Sequence, residues 1–415
     1  MGRLQFAIAA ALALAVKTAS AAFTIGSPTG LAAGTTGGAN GTVVYPKTNK
    51  ELIAYLNASE PLVVVLTKTF DFRGTEGKTT EIGCRPQSAR ECIAANNGFK
   101  SQDVILKNGM NNTGGCENGT ETTVTYDNAY RWRLNVTSHK TIRGIGRRGV
   151  IMGKGITLRG DNIIGTVNGT KTMNNIWIDH VKVSRVGRQM LVTNKAGVAT
   201  MTVSNSDFDG ETDYSATCNG RHYWTILIYG KKTGVSLLNN YVHSTSGRSP
   251  KLDGNAWMLA EGNYFDNVEN PLYKTGKGFL YAATGADECT KYLGRSCEEN
   301  TLVSSGNFTS RDGTAALEAI KPYSAITKYS PGSDEATSST QQSTDDSVHQ
   351  SEKEASSSGE SVHQSDQLSL TMPMVKQYTP GSVKTSHLEQ QWTQASDLEK
   401  VWAQTTNNFG VGELD

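Results

Sequence analysis

The chain lacks long helical stretches. After its first residues no run rich in Leu, Ala, Glu and Lys appears, and proline is scarce, at 10 of 415 residues against 43 glycines. With Asn, Thr, Ser and Val plentiful, this excludes a helical protein and points to an all-β class with many turns. Net charge is nearly absent: 40 basic residues face 39 acidic ones, leaving +1. That excludes a nucleic-acid partner, which selects strongly basic faces, and gives no global steering toward a polyanion. No apolar run beyond the first residues is long enough to span a bilayer, so no membrane partner is expected. No CxxC pair is present among the cysteines, and neither a GxSxG turn nor a P-loop occurs. These absences leave no motif for zinc, a serine nucleophile or nucleotide phosphates.

What is present begins with a targeting signature. Arg3 precedes the apolar "LQFAIAAALALAV", too short to span, and "TASAAF" offers small residues for cleavage near Ala21 or Ala22. Residues 1–22 read as a secretory signal peptide, so the mature protein is expected outside the cell. Cys84, Cys92, Cys116, Cys218, Cys289 and Cys297 form an even set, which in an oxidising compartment reads as disulfides. N-glycan acceptor triplets occur at Asn40, Asn57, Asn111, Asn118, Asn135, Asn168 and Asn307.

"TNKELIAYLN" (48–57) carries a capping box, Thr48 with Glu51, and an apolar face of Leu52, Ile53 and Leu56, which predicts a helix. "PLVVVL" (61–66) reads as a fully buried strand. The stretch from Cys84 to Cys116 is polar and loop-like. From about His139, short strand-like pieces recur between Gly or Asn residues. With Asp179, Asn205, Asn239 and Gly262 taken as equivalent points, the separations are 26, 34 and 23. A period in the twenties, without intervening helices, marks a parallel β-helix with asparagine ladders facing inward and the Thr48 helix capping its open end. A β-helical body is therefore expected over 23–330. It is followed by a Ser-rich disordered linker over 331–368, in which "SVHQS" repeats as solvated sequence. A tail over 369–415 has a short helix with Ser396 and Glu399 as capping box and Leu388, Trp392, Ala395, Leu398 and Trp402 on one face.

"NNIWIDHVKVSRVGRQM" (174–190), "DYSATCNGRHYW" (213–224) and "HSTSGRSPK" (243–251) closely resemble pectin lyases of polysaccharide lyase family 1. "VYPKTNKELIAYL", "VVLTKTFDF", "GKGITLRG", "CTKYLGRSC" and "NNFGVGEL" resemble the same family. The resemblance implies a right-handed single-stranded parallel β-helix with an N-terminal capping helix and pectin in a groove beside one sheet. It places the catalytic arginine at Arg248 and a second cleft arginine at Arg188. In calcium-dependent pectate lyases of this fold an acidic ligand takes the place of Arg188, so the resemblance implies the pectin type, with no metal and no calcium. Lys251 and Trp224 are candidates for binding substrate, Trp224 by stacking. Asp179 and His180 suggest an acid–base pair but more simply line up a rung. The implied activity is eliminative cleavage of methyl-esterified pectin by a secreted monomer; the alternative is a β-helix that binds cell-wall polysaccharide without turnover. By family analogy the disulfides pair Cys84–Cys116, Cys92–Cys218 and Cys289–Cys297, of which spacing alone supports the last.

The chain also departs from the family pattern. A rung ending in a W-G-G-D-A turn is missing between "GKGITLRGDNII" and "NNIWIDH". A second rung-sized piece is missing after "SGRSPK", and the tryptophans expected in the Cys84–Cys116 loop are absent. Loss of the aspartate in that turn leads us to expect weak or no lyase activity.

Overall fold

In a computed structural model, residues 27–106, 116, 118–159, 173–193, 195–285, 287–308 and 313–329 are described. The expected signal peptide, Ser-rich linker and tail helix, with Asn111 and Asn168, lie outside them. Among the described residues no helix is long and apolar enough to cross a membrane.

The described strands build a parallel β-helix with three faces. The chain visits the faces in fixed order, so each rung stacks on the one before. On the first face, Ile176–Asp179, Met201–Ser204, Gly234–Leu238, Trp257–Glu261 and Phe279–Ala282 form one ladder. On the second, Lys182–Ser184, Asp207–Asp209, Tyr241–Thr245, Tyr264–Val268 and Thr301–Val303 follow. On the third, Leu191–Val192, Ile226–Ile228, Ser249–Leu252 and Pro271–Lys274 stack. Earlier rungs repeat the order with Leu62–Leu66 and Lys140–Gly144, then Thr69–Asp71 and Val150–Met152, then Leu134–Val136 and Ile156–Leu158. Among the described residues, the ladders of all three faces stop between residues 159 and 173. They run unbroken through the Leu252–Trp257 turn. The two places at which the family pattern leads us to expect a missing rung thus differ.

The core fills the lumen with one inward residue per strand position, from Leu62 and Val64 through Val203, Leu237, Val242, Phe265 and Leu280. The Asn49–Asn57 helix carries the expected capping box. Its buried Leu52 and Leu56 join that core, and Leu62–Leu66 is buried at every position. The first face is covered: Leu31 N–H and Ala32 N–H donate to Ser236 Oγ and Thr202 Oγ1 at 3.0 and 2.9 Å. Ala316, Leu317 and Ile320 of the Thr314–Ile320 helix pack with Leu259 and Tyr281. The third face carries no such cover among the described residues.

The structure corrects the sequence reading in two places. Asp179 pairs with Ser204 in the ladder, so His180, not Asp179, is the equivalent of Asn205, Asn239 and Gly262. All four adopt left-handed backbone, the conformation that a sharp corner between faces demands and that Asn and Gly tolerate best. The inward ladder is built one residue further on. Asn240 Nδ2 donates to Asn263 Oδ1 at 2.9 Å, and Asn263 Nδ2 to Asn300 Oδ1 at 2.8 Å. The second correction is the Cys84–Cys116 stretch, which holds a helix, Gln87–Ala95, facing Ala89 and Cys92 inward. That helix is too short and polar for its period to stand out. It hangs from an antiparallel pair, Lys78–Arg85 with Thr120–Asp127, outside the rungs.

The three cysteine pairs form as expected, with Cα separations of 6.4, 5.4 and 5.6 Å for Cys84–Cys116, Cys92–Cys218 and Cys289–Cys297, within disulfide range. Of the acceptor asparagines described, Asn40, Asn57, Asn118 and Asn307 are exposed and Asn135 is half-buried.

Candidate active site

The turn that holds Arg248 is tightly bonded. Thr245 Oγ1 and Ser249 Oγ lie 2.5 Å apart, Ser249 Oγ donates to Gly247 O at 3.1 Å, and Thr225 Oγ1 donates to the same carbonyl at 3.1 Å. The Arg248 carbonyl accepts Ile226 N–H at 2.6 Å, fixing the turn to the preceding rung. Thr217 Oγ1 ties the 211–221 loop to Ser246 Oγ at 2.7 Å. Arg248 itself adopts φ +52°, a strained choice for a non-glycine residue that needs a surrounding frame to hold it. Gly247 is required by crowding: a Cβ there would come within 2.7 Å of the Tyr223 ring.

Arg188 and Arg248 rest on consecutive aromatics of one rung. The Arg188 guanidinium lies 5.0 Å from the centre of the Trp224 ring and that of Arg248 5.9 Å from the centre of Tyr223. The two rings meet edge to face at 5.6 Å. Guanidinium–aromatic contact orients both cations without neutralising them. Desolvation against the protein and then the charge of Arg248 push Arg188 below the ordinary arginine range. The residue as a whole is exposed, so solvent screens much of that effect.

Lys251 pairs across the third face with Leu227 and Tyr273, and its ammonium lies 3.7 Å from Asp253. Burial raises the Tyr273 phenol, with Tyr223 adding to the effect and the Arg248 backbone opposing it. Three cations and three aromatic rings therefore converge on the open face, drawn from four successive rungs. Asp179 and His180 lie elsewhere. His180 Nδ1 meets Asp179 Oδ2 at 2.5 Å, and Asp179 Oδ1 accepts Ser204 Oγ and Asn205 Nδ2 at 2.6 and 3.0 Å. That carboxylate joins rungs. Trp177 likewise donates to Ser204 Oγ at 3.0 Å. Among the described residues no three His, Cys, Asp or Glu side chains are grouped to hold a metal ion.

Sequence reasoning missed Tyr223, Tyr273 and His222. Tyr223 and His222 both stand in the quoted "GRHYW". No local periodicity separates them, because residues 223–225 lie outside any strand; only the fold turns Tyr223 toward an arginine and His222 inward. His222 is buried, and its Nε2 reaches the carbonyl oxygens of Arg188 at 2.5 Å and Trp224 at 3.2 Å. Both partners are acceptors, so Nε2 carries the proton and donates. It positions the Arg188 backbone over the aromatic pair.

Burial lowers the His222 pKa below its ordinary value, outweighing the two carbonyls, which raise it. Unfolded, the imidazole titrates near 6.5. Above that pH both states are neutral and nothing is lost. Below it the unfolded chain takes up a proton that the folded chain resists, so stability falls as pH drops toward the folded value. His222→Gln keeps a donor at this position and removes the titration. The decline of the thermal midpoint as pH falls below about 6.5 is expected to be shallower in this variant. An unchanged slope would show that His222 does not contribute.

A scan against protein-family models finds no match. Curated proteins do match. Probable pectin lyase A of Aspergillus fumigatus is 39% identical over 354 residues, 74% of this chain and 89% of that protein. Pectin lyase B of Emericella nidulans is 39% identical over 354 residues, 75% and 91% of the two chains. Probable pectin lyase F of Aspergillus niger is 36% identical over 363 residues, 76% and 74%.

Proposed function

The chain belongs to the pectin lyase family, and we propose from that membership that it is a secreted polysaccharide lyase cleaving methyl-esterified (1,4)-α-D-galacturonan. The observation that carries this reading is the Arg188–Arg248 pair, stacked on Trp224 and Tyr223 over an open strand face. In β-elimination the C5 proton, alpha to the carboxyl group, is removed. The C5–H electrons form the C4=C5 double bond as the C4–O bond breaks, and the leaving oxygen takes its electron pair and a proton. The product end is a 4,5-unsaturated unit.

Arg248, fixed by its turn, meets the C5–H, and a neutral guanidine nitrogen there takes the C5 proton while a proton is returned to the departing O4. Arg188 and Lys251 face the carboxyl group, where negative charge develops, and preorganised cations there lower the barrier. Trp224 and Tyr223 hold the sugar faces, which keeps C5 within the roughly 1 Å tolerance that such transfers demand. A methyl ester is neutral, so its C5–H is acidic enough that the charge of Arg188 and Lys251 can stabilise the anion that forms as the proton leaves. Secretion fits three disulfides with no free cysteine among the described residues.

Absorbance of the 4,5-unsaturated product from methylated pectin tests the reading. Product formation supports it. Retention of pectin with no product, or new reducing ends without absorbance, overturns it. Activity is expected to be unchanged by a chelator; loss on chelation and recovery with calcium would assign the pectate type instead.

A further inference from the structure

Four consecutive exposed residues, Tyr130, Arg131, Trp132 and Arg133, lead into the third-face strand Leu134–Val136. Trp132 is 67% exposed, more than any other large apolar side chain among the described residues. Isolated exposed apolar residues are common and need no explanation, but three observations set this one apart.

The first is its backbone. Lys154, with its side chain 2% exposed, donates Nζ to the Trp132 carbonyl at 2.7 Å, the Ala129 carbonyl at 3.0 Å and Glu76 Oε1 at 2.5 Å. A buried lysine is committed to holding the loop that presents an exposed ring. The second is position. Trp132 stands two residues before Leu134, as Trp224 stands two residues before Ile226, and both of those strand-opening residues point into the core. Trp132 thus holds, in the earlier rungs, the same place ahead of an inward strand-opening residue that Trp224 holds beneath Arg188. The third is charge. Arg131 and Arg133 flank the ring, both exposed, and no acidic side chain among the described residues pairs with either.

We propose that Trp132, with Arg131 and Arg133, is an accessory platform for galacturonan, binding units of the polymer remote from the bond that is cleaved. It rests on the pectin reading above for the identity of the polymer. A polymer long enough to reach both the Arg248 turn and the loop before Leu134–Val136 gains contacts that a short oligomer at the Arg248 turn does not. The indole takes the apolar face of a sugar ring. The two guanidinium groups take carboxylates of units that carry no methyl ester. The platform therefore favours long, partly de-esterified chains and leaves the chemical step untouched.

The test uses the full-length protein and compares Trp132→Ala and the double variant Arg131→Gln/Arg133→Gln with the parent chain. For long pectin, Trp132→Ala is expected to raise KM about threefold to tenfold with kcat unchanged. KM for short methylated oligomers that reach only the Arg248 site should not change. The arginine variant should lose discrimination between low and high esterification. An unchanged KM for long pectin overturns the proposal, and so does an equal rise for oligomer and polymer, which would mark a structural role. Asn135 is a glycan acceptor three residues away, so each comparison is repeated with Asn135→Gln. An effect that vanishes in that background assigns Trp132 to the glycan and overturns the proposal. Retention in gels containing polygalacturonate separates this idea from the lyase reading. If the parent chain makes no unsaturated product, weakened retention of Trp132→Ala still supports the platform and equal retention sinks it.

Discussion

Arg248→Ala is expected to lower kcat on methylated pectin by about 10²- to 10⁴-fold, with the thermal midpoint close to that of the parent protein. The side chain makes one ring contact, to Tyr223 at 5.9 Å. The turn is held by bonds that do not involve the guanidinium: Thr245–Ser249, Ser249–Gly247, Thr225–Gly247 and Ile226 to the Arg248 carbonyl. Truncating the side chain removes the group facing C5 and leaves those bonds in place. Arg248→Lys keeps a charge and loses the planar fork and its seat on the ring, so it should recover only a small part of the activity. Arg188→Ala should fall less in kcat and more in kcat/KM, because its cation faces the substrate's carboxyl group in the ground state as well. A kcat for Arg248→Ala within threefold of the parent would remove this residue from the chemical step.

The second large effect is on stability. Arg295→Met is expected to cost about 3–5 kcal/mol, measured by denaturant or thermal unfolding. Glu261 is fully buried on the first face, and Arg295 meets it with two parallel bonds, NH2 to Oε1 at 2.6 Å and NH1 to Oε2 at 2.8 Å. Arg295 also donates Nε to the Ile326 carbonyl at 2.7 Å and lies 5.2 Å from the centre of the Tyr329 ring. One side chain thereby joins the Cys289–Cys297 loop, the Ser324–Thr327 turn and the last first-face rungs. Methionine fills much of the same volume but leaves a buried carboxylate without its partner, and that uncompensated charge is the main cost. Glu261→Gln in the same chain should restore a good part of the loss, because the charge goes with it. A single-variant loss below about 1 kcal/mol, the value of an exposed pair, would show that Glu261 is solvated in solution.

Much of the fold was legible along the chain. The Thr48–Glu51 capping box and the apolar run at 62–66 announce local structure because their causes are local: a side chain reaching its own helix end, and five consecutive residues with no polar face. The β-helix was legible from its repeat, although the repeat misled by one residue in the choice of Asp179. The left-handed corner residue and the inward ladder asparagine are neighbours, and spacing cannot tell which of two adjacent polar residues turns and which points in. Backbone φ decides that, and φ follows from the stacking of rungs. The helix at 87–95 escaped because its cause is distant: Cys92 is pinned by Cys218, 126 residues away.

The candidate site divides in the same way. Sequence alone determined that Arg248 sits in a turn of small residues, that the cysteines form an even set, and that the motifs around Arg188, Trp224 and Arg248 share one family's pattern. It had no means to determine that Arg188 and Arg248 rest on adjacent rings, that His222 lies inward to hold the Arg188 carbonyl, or that Tyr273 stands beside Lys251. Those neighbours are brought together by parallel stacking, in which residues one turn of the solenoid apart come to lie about 4.8 Å apart. The turn lengths that set this register vary from rung to rung. Only the folded stack, by adding up every corner between one strand and the next, decides which side chains share a face and which meet across it.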